Sequence, residues 1–112
     1  MTFEEALKRL AEREPEKFRC GIDTFHVLHK PPRVHAIYFR NVMSQDFIDV
    51  ILEEIGWEYE LIHKRDQKTW IAWIWRTNDS GTLIGVYSRP SRTKLEAAKS
   101  ALVAVVEKEY PL

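Results

Sequence analysis

The chain is short of several things, and each shortage closes off a class of protein. Cys20 is its one cysteine, so there is no internal disulfide, which fits a reducing compartment. No apolar run approaches the roughly 18 residues that a membrane-spanning helix needs. The opening stretch "MTFEEALKRLAERE" is acidic and amphipathic, where a signal peptide is basic and then apolar. A cytoplasmic protein without membrane attachment is therefore expected. The four glycines form no phosphate-cradling loop, and there is no serine elbow and no recognisable pair of catalytic acids. No enzymatic activity and no cofactor are expected. Net charge is also missing, since 17 bases balance 17 acids, and this removes the overall basic bias of a nucleic-acid-binding domain.

What remains is ordinary globular material. At 112 residues, 45% hydrophobic and 30% charged, the chain is expected to fold as one domain around one core. Charge is unevenly spread along it. Residues 41–60 hold six acids and no Lys or Arg, and residues 61–99 hold eight bases against three acids. Such asymmetry can steer an acidic partner, or let two copies meet across a twofold axis; its plainer meaning is a pair of solvated faces.

Periodicity divides the chain further. Thr2 and Glu5 form a capping box ahead of Phe3, Ala6, Leu7 and Leu10, which predicts a helix over 3–14. Residues 15–33 show no sustained period and read as loop, with a short extended piece at "FHVLHK". "RVHAIYFR" is rich in β-branched and aromatic residues and predicts a strand over 34–39. Ser44 is placed to cap a helix that buries Phe47, Ile48, Ile51, Leu52 and Ile55, and Gly56 to end it in a left-handed conformation. Three strands follow, at "WEYELIHK", "TWIAWIWRT" and "TLIGVYS", joined by turns at "RDQK" and "NDSG". Thr93 and Glu96 open a last helix that runs to about Tyr110. The expected fold class is α+β, in the order α, (β), α, β, β, β, α, with an antiparallel sheet of three to four strands. Residues 1–40 would be a helix plus an irregular extension, and 41–112 the αβββα core.

The stretch "TWIAWIWRT" puts three tryptophans into six residues. Trp70, Ala72 and Ile74 alternate with Ile71, Trp73 and Trp75, so both faces of the strand are apolar. A strand apolar on both faces is expected to be covered on both, with the helices at 45 and 93 on one side and the first helix or the 15–33 loop on the other. Each sealed indole would contribute on the order of 2 to 3 kcal/mol. The competing reading leaves Trp73 and Trp75 open as a docking platform.

A helix, three antiparallel strands and a helix over 45–110 resembles the double-stranded-RNA-binding domain, and "SRTKLEAAKSAL" is similar to the start of its final helix. That resemblance implies contact with RNA phosphates. Against it, Leu95 and Glu96 stand where the family has paired lysines, and "RDQK" lacks its Gly, Pro and His. The helix that would face RNA carries Asp46, Asp49, Glu53 and Glu54. The stretches "SQDFIDVILEEIGW", "WIAWIW" and "TKLEAAKSALVAVVE" also resemble the small phage ABA sandwich domain proteins. That second resemblance covers the last two thirds of the chain and implies an αβα build and a phage or prophage origin.

Three sets of residues could carry a site. Cys20, His26, His29 and His35 supply metal-binding atoms, but at a spacing that is no common zinc arrangement; surface or hydrogen-bonded histidines are the simpler reading. Cys20 with His26 and Asp23 could make a nucleophile, as could many short polar loops. Lys64, Arg65 and Lys68 in one turn, and Arg89, Arg92 and Lys94 before the last helix, could converge on one basic edge of the sheet. The expected function is a non-catalytic phage or mobile-element accessory protein that binds another protein, for instance to inhibit a host system. A homodimer is a second kind of partnership, and a nucleic-acid-binding module is the alternative function.

Overall fold

A computed structural model describes residues 1–28, 34–38 and 45–111. Among these residues nine elements follow one another: α1 (Phe3–Arg13), β1 (Phe18–Cys20), β2 (Thr24–Leu28), β3 (Val34–Tyr38), α2 (Gln45–Glu54), β4 (Glu58–Lys64), β5 (Thr69–Thr77), β6 (Leu83–Tyr87) and α3 (Lys94–Glu109). The class is α+β, as the periodicity predicts. The strands form two antiparallel sheets, ordered β1-β2-β3 and β4-β5-β6.

The first sheet is the main departure from expectation. The segment expected to be irregular holds β1, while β2 lies at the extended piece expected in "FHVLHK" and β3 where the strand at 34–39 was predicted. Phe18 sits in register with Val27, and its ring stacks on Phe25 with centroids 5.6 Å apart. Three-residue β1 is too short to show a period, so only its packing reveals it. Phe18, Phe25 and Val27 join Ala6, Leu7 and Leu10 of α1 in the same buried cluster as the rest of the core.

Local chemistry sets the helix ends. Thr2 Oγ1 accepts from the Glu5 amide, and Thr93 Oγ1 from the Glu96 amide, each at 3.1 Å, satisfying donors that a helix N-terminus leaves free. Gly56, at φ +79°, ends α2 in the left-handed region. Its amide bonds to Glu53 O and the Trp57 amide to Leu52 O, the paired bonds of a Schellman motif. Ser44, expected to cap α2, lies outside the described residues.

α3 is the hub. Ala97, Ala98, Ala101, Leu102, Val105 and Val106 are all fully buried, and their small side chains let neighbours approach closely. α3 packs on β5 of the second sheet, on α2 and on α1, and α1 in turn packs on β1. The helices thus tie the two sheets together. The cover expected over the second face of β5, from the first helix or the 15–33 loop, is not found among the described residues. Of the described helices only α3 makes substantial contact with β5, and it covers the face of Ala72 and Ile74, both fully buried. Trp73 and Trp75 on the other face stay partly exposed. Among the described residues, no helix is long and apolar enough to cross a membrane.

Candidate functional site

The register of the second sheet assembles its outer face. Trp75 stands between Glu58 of β4 and Gly85 of β6, Trp73 between Glu60 and Tyr87, and Ile71 beside Ile62. Because cross-strand partners share a face, these residues form one surface. The Trp73 and Trp75 rings stack with centroids 6.3 Å apart, and Trp73 meets the Tyr87 ring at 4.7 Å, tilted by 40°. Tyr87 is 63% exposed and Leu83 57%, and Glu58 and Glu60 are exposed as well. A Cβ at Gly85 would overlap Cη2, Cζ2 and Cζ3 of Trp73, so the indole lies across the space that glycine leaves open. The rings shield one another without a helical roof, which is how the face can be apolar and still open.

The other two tryptophans are used differently. Trp57 is almost fully buried, under the guanidinium of Arg76, whose Nε donates to Glu109 Oε1 at 2.6 Å. Trp70, on the helical side of the sheet, is flanked by the His63 ring at 4.6 Å and the Lys94 ammonium at 5.0 Å.

The predicted basic edge is partly assembled. Lys64 pairs with Thr69, so Lys64, Arg65 and Lys68 occupy the β4–β5 turn at one end of the sheet. A β-bridge between Trp70 and Ser91 brings Arg92 and Lys94 to the same end. Lys94 is engaged over Trp70 and shares a small pocket with Asp49, so an acid stands among the bases. Arg89 departs from the group. It lines a groove between β6 and α3 with Phe3, Val86, Lys99 and Val103.

The cysteine and histidine candidates separate. Cys20 pairs with Phe25 and His26 with Arg19, so the two side chains leave the sheet on opposite faces. His26 Nε2 lies 3.1 Å from Thr24 Oγ1. Burial raises the Cys20 thiol pKa above its ordinary 9.0, the direction opposite to that of an activated nucleophile. The grouping of Cys20 with His26, for a metal or with Asp23 for a nucleophile, is therefore not formed. His29 lies outside the described residues, and His35 is in register with Val27 in β3. Among the described residues, no three metal-ligating side chains come together.

Glu58, Glu60, Leu83, Gly85 and Tyr87 escape the sequence reading, although one signal for them was present. The alternation of β4 already marks Glu58 and Glu60 as wet, and strands that share a sheet share its wet face. No family model, curated protein or solved structure matches the chain.

Proposed function

We propose that the protein is non-catalytic and acts by binding a protein partner, which docks on the outer face of β4–β6. The observation that carries this reading is the joined surface of Trp73, Trp75, Tyr87 and Leu83, where no described helix makes substantial contact with the Trp73 and Trp75 face of β5. Contiguous apolar surface of this kind marks an interaction site, and tryptophan and tyrosine dominate the energetics of such sites.

Charge complementarity selects the occupant. Glu58 and Glu60 flank the indoles and have no ionic partner among the described residues. A segment bearing arginines fits, because a guanidinium can stack on an indole while it donates to a carboxylate. The same carboxylates repel phosphate, which disfavours the nucleic-acid alternative. An accessory role in a phage or mobile element, such as inhibition of a host system, is compatible with a docking protein and rests on the resemblance alone.

The test titrates the full chain into labelled synthetic peptides of equal length that carry arginine, lysine or glutamate, read by fluorescence anisotropy. Arginine-bearing peptides are expected to bind best. Trp73→Ser with Trp75→Ser, or Glu58→Gln with Glu60→Gln, should weaken them at least about tenfold. Arg65→Glu with Arg92→Glu should leave them unaffected. Preference for glutamate-bearing peptides would move the site to the basic end, and retardation of duplex RNA at low salt would favour the nucleic-acid reading. Absence of any peptide binding would remove the proposal.

A further inference from the structure

The free edge of β6 differs from the other edge of its sheet. β4 and β6 are both outer strands. β4 carries Glu58, Glu60 and Lys64, charges of the kind that discourage a sheet edge from pairing with another chain. β6 reads Leu-Ile-Gly-Val-Tyr, with no charge and no proline. The Ser88 amide bonds to Ala72 O and the Asn78 amide to Thr82 O, each at 2.9 Å. These bonds bracket the strand and fix its alternation. Ile84 and Val86 turn their amide and carbonyl groups toward β5, while Leu83, Gly85 and Tyr87 turn theirs outward. No described group bonds to those outward amides and carbonyls.

We propose that β6 pairs antiparallel with the β6 of a second copy, about a twofold axis through Gly85. This register sets Gly85 opposite its own copy and Leu83 opposite Tyr87 at both ends, so every outward amide and carbonyl of the three residues is satisfied. Leu83 and Tyr87 then form aliphatic–aromatic cross-strand pairs, a favoured combination. Charge agrees with the register. Continued outward, the pairing brings Arg89 of one copy opposite Gly81 of the other, two positions from Asp79, within reach of a long side chain. Both residues are exposed, and neither side chain has a described ionic partner. The groove between β6 and α3 leaves the helical side of this edge open.

Such pairing makes one six-stranded sheet. Its axis runs perpendicular to the sheet, so the two aromatic faces lie on the same side and join. The pairing does not depend on the peptide-binding reading, and each can fail without the other.

Sedimentation equilibrium of the full chain, over a range of concentrations, tests it. A dimer of the 13.3 kDa chain is expected to form as concentration rises. Leu83→Lys with Tyr87→Lys sets like charges opposite each other and should weaken association at least about tenfold. Leu83→Glu with Tyr87→Lys sets opposite charges in this register and should preserve it. Both positions are exposed, and circular dichroism verifies that each variant folds. In the unaltered chain, exchange at the amides of Leu83, Gly85 and Tyr87 should slow with concentration. A folded chain that stays monomeric throughout, or a dimer indifferent to Leu83→Lys with Tyr87→Lys, would overturn the proposal.

Discussion

Trp73 occupies the space that Gly85 vacates on the neighbouring strand: its benzo ring stands where a Cβ at residue 85 would be. The contact lets the indole lie flat and bridge Trp75 and Tyr87. Gly85→Ala should therefore push the ring off the sheet, with an overpacking penalty of about 1–3 kcal/mol. Denaturant unfolding measures the loss, and tryptophan emission should move to longer wavelength as Trp73 enters water.

Ser88 is the one buried polar residue among those described, at 6% exposure, and its hydroxyl accepts from the Ala72 amide at 2.8 Å. The chain bends away from β5 here before returning at Ser91, so a side chain stands in for a ladder carbonyl. Ser88→Ala strands that amide in the core and should cost about 1–3 kcal/mol. Ser88→Thr, which keeps the hydroxyl, should recover part of it. Equal losses for both substitutions would assign the effect to packing instead.

Tyr59 and Tyr110 give the chain an alkaline limit. Burial, reinforced by hydrogen bonds donated to Asp49 and Glu14, raises both phenols well above their ordinary 10.0. A raised folded-state value means the unfolded chain ionises first. The stability these groups contribute is thus fully present below pH 10.0 and is lost progressively as pH rises above it. Tyr59→Phe with Tyr110→Phe should lower stability at neutral pH and flatten its decline above pH 10.0, as followed by melting temperature. An unchanged slope would place the alkaline transition elsewhere.

Much of the fold is legible from residue pattern. Thr2, Thr93 and Gly56 act locally, through bonds within a turn of their own backbone, and the ends they set are where the pattern puts them. β5 agrees with its predicted span because eight of its nine residues are apolar or β-branched, Arg76 being the exception. The β1–β3 sheet is less legible. Its identity depends on Phe18 meeting Phe25 and on β1 meeting α1, contacts that no local period encodes. The candidate site fails to read for a different reason. Apolar residues on both faces of β5 suggest two covers, yet Trp73, Trp75 and Tyr87 cover one another, and a lone strand cannot reveal what its neighbours contribute. Setting the wet side of β4 against β5 would have shown that the indoles share their face with Glu58 and Glu60.

The placement of α3 has a consequence for how the chain folds. The helix that supports both halves of the molecule comes after all six described strands in the sequence. The Arg9 guanidinium donates to Tyr110 O, and the Tyr110 hydroxyl to Glu14, across separations of 101 and 96 residues. Contacts this distant raise contact order and slow folding. On the ribosome, α1 and the β1–β3 ribbon emerge long before the surface they will rest on, so final assembly must wait for residues 94–109. A nascent chain arrested before that point would hold two bare sheets, a species for a chaperone to shelter.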